Sequence, residues 1–193
     1  MFGRRSRLAS YVFFFALVLS APALAHGADW DPIPELPQGD HIALASDLDP
    51  GSFEAMNRCL RTFESAVGAN YYAVVVEVTA SSGRASPKFN NAVPYVDATY
   101  QNWTPDERID PDTDNIIALG LDNRAVAIHP GNRWVRLGFE RGVITRTIDN
   151  SRFKIYARNG DYSKAVCTLT EAVDRRLQSL AEDLEREKGR LQK

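Results

Sequence analysis

The chain has 193 residues, of which 44% are hydrophobic, and its 23 basic and 25 acidic side chains give a formal net charge of −2. This length and apolar content suffice for one domain with a hydrophobic core. A net negative charge speaks against the broad basic surface on which nucleic-acid binding depends, so we expect no nucleic-acid partner.

An export signal is predicted at the N-terminus. Three arginines in the first seven residues precede an apolar run over 11–19 and a small-residue exit at 23–25, which indicates a signal peptide over 1–25. The uncharged segment is shorter than the ~20 residues that span a bilayer, so we expect cleavage. Cleavage leaves 193 − 25 = 168 residues with a net charge of 20 − 25 = −5, because the signal holds three basic and no acidic residues. We therefore expect a periplasmic or extracellular protein, or a membrane tether if the signal stays uncleaved.

A leader and a first helix follow the signal. Residues 26–40 are proline-rich and aperiodic, which predicts an extended leader before a domain over 41–180. Asp49-Pro50 predicts a helix start, because the aspartate can cap the helix and proline fits its first turn. Apolar residues then recur every three or four positions, and Gly68 is the predicted end of this helix.

A buried strand, a second helix and an acidic loop come next. The β-branched run Tyr72–Val78 is typical of a strand covered on both faces. The segment Ala92–Trp103 predicts a helix with Pro94 in its first turn. The loop Thr104–Asp114 brings several acidic side chains directly to the start of the following apolar run.

The rest of the chain predicts a hairpin and two helices. Strands Asn115–Leu121 and Ala125–His129 are joined at Asp122-Asn123, a pair that tolerates positive φ and so favours a tight turn. A short helix is predicted over Phe139–Ile148 and a long one from Ser163 toward Lys188. Together these elements predict an α/β fold, with a mixed central β-sheet that contains a β-hairpin and has helices on both faces.

The last helix changes character along its length. Beyond residue 181 it is almost entirely charged, so residues 181–193 are predicted to be a charged C-terminal helix extension that projects into water. A seam of leucines at seven-residue spacing leaves open a short coiled-coil contact with a partner.

The two cysteines allow two interpretations. Cys59 and Cys167 each fall in a predicted helix, and export compartments are usually oxidising, so a disulfide could join the first and last helices. Alternatively, both are buried thiols that act as small apolar residues. The sequence alone gives no distance between them.

The acidic loop is a candidate metal site. Asp110, Asp112 and Asp114 place carboxylates at alternate positions, as in the first half of a calcium loop. Asn115 replaces the usual glycine at the sixth position and Leu121 the bidentate glutamate at the twelfth, so this is not an EF-hand. Closely spaced carboxylates repel when ionised, and calcium or magnesium would relieve that repulsion. The alternative is a solvated loop that holds no metal.

Other chemistries find little support in the sequence. It has no G-x-S-x-G elbow, and of the histidines His26, His41 and His129 two lie in or near the leader, so a nucleophile would depend on His129 alone. A phosphate-binding glycine loop, a CxxC motif and a Cys/His zinc spacing are all absent. We therefore expect no haem or nucleotide cofactor.

The order of these segments resembles the TPM domain family. The segments are DPGSFEAMNRCLRTFESAVGA, YAVVVEV, PYVDATYQNW, DNIIALGLDNRAVAIHPG and FKIYARNGDY, and the resemblance covers about residues 41–180. The family includes a thylakoid-lumen acid phosphatase, a photosystem II repair protein, a nematode acetylcholine-receptor modulator and exported bacterial proteins. The resemblance implies an α/β sandwich with a shallow acidic site that binds calcium in some members.

Individual positions match the family pattern to different degrees. Asp114-Asn115-Ile116 stands where the family has an Asp-Asn/Lys-Gly turn, with isoleucine in place of glycine, and Trp103 matches a tryptophan that ends a helix. Asp122-Asn123-Arg124 matches the D-x-R of the hairpin. The family's Gly-x-Gly-Leu-Glu is recognisable only as Gly131 and, after extra residues, the segment 137–140, which ends at Glu140. Arg124 and Glu140 are accordingly the candidate binding residues.

Two functions are consistent with these observations. The first is a binding or accessory module of the cell envelope that acts on an envelope or membrane protein, with a divalent cation at its acidic loop. The second is a metal-assisted acid phosphatase, in which Asp112 and Asp114 hold the cation and Arg124 contacts a phosphate oxygen. An enzyme needs convergent polar groups in a concave site, and the sequence offers only an acid cluster and one arginine, which favours the module.

Overall fold

The structure is a computed structural model, and it describes residues 31–46, 48–77, 92–105, 107–122 and 124–192. The predicted signal peptide 1–25, the strand residue Val78 and the turn residue Asn123 lie outside these ranges.

Four strands form a single mixed sheet in the described part of the chain. They are β1 (Ile42–Ala45), β2 (Tyr71–Val76), β3 (Asn115–Gly120) and β4 (Ala125–His129), in the spatial order β1-β2-β3-β4. The strands β1, β2 and β3 are parallel, and β4 pairs with β3 in the antiparallel sense. The predicted mixed sheet and its hairpin are therefore confirmed, whereas β1 was not predicted because four residues are too few to show a pattern.

Six helices surround the sheet in the described residues. The bounds of the second helix match the prediction, and the last is longer at both ends than predicted. The predicted helix over Phe139–Ile148 begins only at Arg141, and two short helices beside it were not predicted. The helices are α1 (Pro50–Arg61), α2 (Ala92–Trp103), α3 (Asn132–Arg136), α4 (Arg141–Asn150), α5 (Phe153–Arg158) and α6 (Tyr162–Leu191).

The start of α1 is as predicted and its end is not. The side chain of Asp49 accepts a hydrogen bond from the Ser52 amide at 2.9 Å, which caps the first turn. The helix ends at Arg61 rather than at Gly68. Beyond the helix end, the backbone amide of Ala66 donates to the distant carboxylate of Asp174 at 3.0 Å.

Each face of the sheet carries its own hydrophobic core, as the prediction of helices on both faces requires. Ile117 and Leu119 of β3 point to the face that α1, α5 and α6 cover. Ile116 and Ala118 point to the opposite face, which α2 covers. All six residues of β3 are buried, since the strand lies between β2 and β4.

The leader packs against α2. The hydroxyl of Tyr95 donates to the carbonyl of Pro32 at 3.2 Å, and the indole nitrogen of Trp103 donates to the carbonyl of Pro34 at 3.0 Å. Leu36 is 2% exposed in the core of that face. Packing thus extends upstream of the predicted domain start at residue 41.

The first and last helices are covalently joined. Cys59 of α1 and Cys167 of α6 form a disulfide with their Cα atoms 6.1 Å apart, across 108 residues of sequence. The C-terminal part of α6 runs beyond the core, and Leu191 near its end is 83% exposed. Within the described residues, no helix combines the length and the apolar character needed to cross a membrane.

Candidate functional site

The acidic loop lies at the amino end of β3, where it is built around a buried carboxylate. Asp114 is only 2% exposed, and it accepts hydrogen bonds from the Asn70 side-chain amide and the Asp110 backbone amide, both at 2.8 Å. Burial, together with the charge of Asp114 and a hydrogen bond to it, raises the pKa of Tyr72 to about 12. Asp114 therefore binds groups of β2 and of its own loop.

Asp110 is exposed and stabilises the turn of the loop. Its carboxylate accepts from the Asp112 amide at 2.8 Å and from the Thr113 hydroxyl at 2.9 Å. The hydrogen bond from the Asp112 amide, followed by the one from Thr113, lowers the pKa of Asp110 below its ordinary value. The Thr113 hydroxyl also lies 3.3 Å from Asp114, so the Asp110 and Asp114 carboxylates meet at this hydroxyl.

Asp112 points away from this pair. Its carboxylate accepts from the Arg136 guanidinium of α3 at 2.7 Å, and both side chains are at least half exposed. Of the three predicted metal ligands, the structure thus brings Asp110 and Asp114 together. It pairs the third, Asp112, with the guanidinium group of an arginine. Among the described residues, no group of three or more histidine, cysteine or carboxylate side chains is arranged to hold a metal ion.

The loop backbone packs closely against the start of α3. The indole nitrogen of Trp134 donates to the Thr113 carbonyl at 2.7 Å, and the Arg133 amide donates to the Asp112 carbonyl at 2.9 Å. A Cβ atom on Gly131 would lie 2.6 Å from that same Asp112 oxygen, closer than non-bonded atoms approach. Only glycine fits at position 131 while the loop and α3 keep this contact.

We expect Gly131→Ala to lower the free energy of unfolding by about 1–3 kcal/mol, because the added methyl group must displace backbone rather than a flexible side chain. Gly189→Ala is the matched control: a Cβ there meets nothing within 4 Å, and alanine favours a helix interior. Denaturant unfolding of both variants checks this, and equal stability of the two would contradict the packing argument.

Arg124 lies at the other end of β3 from the acidic loop. Asp114 immediately precedes the strand, and Arg124 follows it after the hairpin turn, so the two are separated by the length of a six-residue strand, roughly 17 Å. Arg124 also has a φ of 50°, in the left-handed region. The structure does not bring together Asp112, Asp114 and Arg124, the residues of the phosphatase hypothesis.

Glu140 lies in a third place, at the start of α4. It is exposed and lines a pocket beneath β4 that also contains His129 and Asp97. Nδ1 of His129 lies 2.8 Å from the Asp97 carboxylate, and its ring stacks on Tyr100 with 4.0 Å between ring centroids. Glu140 is therefore separate from both the acidic loop and Arg124, and His129 is held by residues of α2.

Sequence reasoning missed a second buried carboxylate, Asp174 of α6. It is 5% exposed and accepts from the hydroxyls of Ser65 and Tyr71 and from the Ala66 amide at 3.0 Å. Burial, and then the charge of Asp174, raise the pKa of Tyr71 above its ordinary value. No local sequence pattern predicts these hydrogen bonds, because the partners of Asp174 lie more than 100 positions away in sequence.

The fold and these sites define an α/β domain with a four-stranded mixed sheet between two helical layers. No family model and no curated protein matches the chain. It is similar to the solution structure of the N-terminal domain of a protein from P. gingivalis, at 18% identity and a TM-score of 0.51, over 72% of this chain and 82% of that one. It also matches the N-terminal domain of the cg2496 protein from Corynebacterium glutamicum at 13% identity, over 73% and 83% of the two chains, with a TM-score of 0.46. The first likeness supports the fold alone, and the second is too distant to carry an argument.

Proposed function

We propose that this protein is a binding or accessory module of the cell envelope and that it acts on an envelope or membrane protein. The observation that carries the proposal is the separation of its polar groups. The carboxylates of Asp112 and Asp114 lie at one end of β3 and Arg124 lies at the other, whereas a hydrolase needs its charged groups around one reacting atom.

The engagement of the acidic loop in the fold supports the same conclusion. Asp114 is buried against Asn70, and Asp112 is paired with Arg136. Carboxylates held in this way stabilise the loop, and the exposed Asp110 also accepts hydrogen bonds from within it. The hydrogen bonds fix the conformation of the loop, which suits recognition.

The envelope location is proposed from the signal-like N-terminus and the disulfide. Disulfides such as the one between Cys59 and Cys167 form and persist mainly in oxidising compartments, which is where an exported chain would fold. The exposed C-terminal part of α6 is a suitable contact surface for a partner, because it extends past the core and carries charges along its length.

Two measurements test this proposal together. A photocrosslinking residue at the exposed position 187 of α6 is expected to recover a reproducible membrane protein from intact envelopes; recovery without a reproducible partner counts strongly against the module. Purified mature protein is expected to leave a generic phosphate monoester intact with calcium or magnesium present.

The metal-assisted phosphatase is the alternative. Hydrolysis that Arg124→Gln abolishes and Arg190→Gln preserves would favour it over the module, because Arg190 is also an exposed arginine and lies at the far end of α6. The cation predicted at Asp110, Asp112 and Asp114 is tested by the same protein sample. A ligand bound only by the folded state raises the melting temperature, so an unchanged melt with added calcium would remove the cation from both functions.

A further inference from the structure

A pocket with a basic rim lies at the carboxyl end of β3. It has a volume of about 360 Å³ and lies between the hairpin, α5 and the first turn of α6. Its floor is apolar and includes Leu119 and Phe153. We call this the basic pocket; its polar lining side chains are Arg124, Lys154, Arg158 and Tyr162.

The charges that line the basic pocket have a single sign. Three cationic side chains line it, and no carboxylate does so in the described part of the chain. Lys154 is paired with Asp149 of α4, whereas neither Arg124 nor Arg158 has a carboxylate partner among the described residues. Two guanidinium groups are thus free to bind an anion, and guanidinium groups bind phosphate oxygens in a bidentate manner.

The backbone of Arg124 supports a role for its side chain. A φ of 50° suits glycine, and an arginine there strains the turn. The turn requires the left-handed conformation but has no need of a guanidinium group. Residues in such conformations cluster at ligand sites, which agrees with a role for this side chain.

The position of the basic pocket in the sheet points the same way. In open α/β sheets, ligands bind beyond the carboxyl ends of the parallel strands. Gly120, which lines the pocket, ends β3 next to Val76, the end of the parallel strand β2. The acidic loop is at the opposite, amino edge. The start of α6 adds no anion site here, since Asp161 already caps it by accepting from the Lys164 amide at 3.1 Å.

We propose that the basic pocket binds a phosphate-bearing ligand whose apolar part rests on the Leu119 and Phe153 floor. The two free arginines hold the phosphate oxygens and Tyr162 borders the site. Because the chain as a whole is negatively charged, its overall field repels such a ligand, and binding must come from these local cations. This inference goes beyond the proposed module function and does not depend on it.

Phenylphosphonate is a suitable free probe, because it joins a phosphate-like dianion to an apolar ring and cannot be hydrolysed as an ester. Calorimetric titration of the whole mature protein is expected to show binding that each of Arg124→Gly and Arg158→Gln weakens roughly tenfold. Arg190→Gln, which removes an exposed arginine far from the pocket, is expected to bind as the wild type does. Arg124→Gly is expected to melt no lower than the wild type, because glycine fits the positive φ, so lost binding cannot be ascribed to unfolding.

Vesicles distinguish a lipid from a soluble ligand. Sedimentation with phosphatidylcholine vesicles, with and without phosphatidic acid, is measured for the same four proteins. If only the phosphatidic acid vesicles bind, and the Arg124 and Arg158 variants lose that binding, the ligand is a lipid headgroup. If only phenylphosphonate binds, with the same dependence on the two arginines, the ligand is a soluble phosphate. Either result supports the proposal. Binding to neither probe, or equal loss in Arg190→Gln, overturns it. A failure of partner crosslinking at position 187 leaves these outcomes unaffected, so the two proposals fail separately.

Discussion

Replacing Asp174 by alanine is expected to lower the free energy of unfolding by about 3–5 kcal/mol, because three neutral donors lose a charged acceptor and each hydrogen bond to a charged group contributes roughly 1.5–3 kcal/mol. The substitution leaves the hydroxyls of Ser65 and Tyr71 and the amide of Ala66 without their acceptor. Each unsatisfied donor that stays buried adds its own desolvation cost. For a domain of this size, a loss of that magnitude lowers the melting temperature by roughly 6–20 °C.

Two further variants make this expectation specific. Asp174→Asn keeps one oxygen acceptor and nearly the same volume, so its loss of stability should fall between those of alanine and the wild type. Asp183→Ala is the control, because Asp183 is an exposed acid on the same helix, paired with Arg186 at the surface, where such pairs contribute little. Urea unfolding and thermal melting are measured for all three. A melting temperature of Asp174→Ala close to that of Asp183→Ala would show that the network carries no stability.

Removing the disulfide is the second change with a large expected effect. Joining residues 108 positions apart restricts the unfolded chain strongly, so the Cys59→Ala, Cys167→Ala double variant should lose about 2–5 kcal/mol. Reductant should destabilise the wild type by a similar amount and leave the double variant unchanged, which separates the bond from side-chain packing. Equal melting of oxidised and reduced wild type would contradict this expectation.

The effects of these two changes should not simply add. Asp174 and Cys167 lie two turns apart on α6, and their partners, Ser65 and Cys59, lie in or just after α1. Contacts that hold the same pair of segments are energetically coupled. A triple variant should therefore show a total loss that differs from the sum of the separate losses, which places α1 and α6 in one cooperative unit.

The elements that the sequence predicts well are those with local patterns. The run Tyr72–Val78 predicts β2 because its continuous β-branched residues require cover on both faces, and the Asp49 cap fixes the start of α1. The strand directions follow from the lengths of the connections. A long connection that contains a helix predicts parallel strands, and a short turn predicts an antiparallel pair. In contrast, β1 is four residues long, and no periodicity can be read over that length.

The orientation of side chains in the acidic loop could not be read in this way. The spacing of Asp110, Asp112 and Asp114 places them on one loop, but Arg136 determines where Asp112 points, from 24 positions downstream. The opposite locations of Asp114 and Arg124 follow only once β3 is known to separate them. The basic pocket was missed for the same reason, since α5 brings Lys154 and Arg158 to the hairpin only in the folded chain.

The packing of the leader on α2 has a consequence for the order of events in folding. Residues 32–36 are synthesised before α2, yet their contacts with Tyr95 and Trp103 can form only after that helix exists. The final position of this segment over the Trp103 indole is therefore reached only after α2 has formed. A chain shortened to begin at residue 41 would keep all four strands. It would leave Tyr95 and Trp103 of α2 without this cover, and the exposed apolar surface would favour association with other molecules.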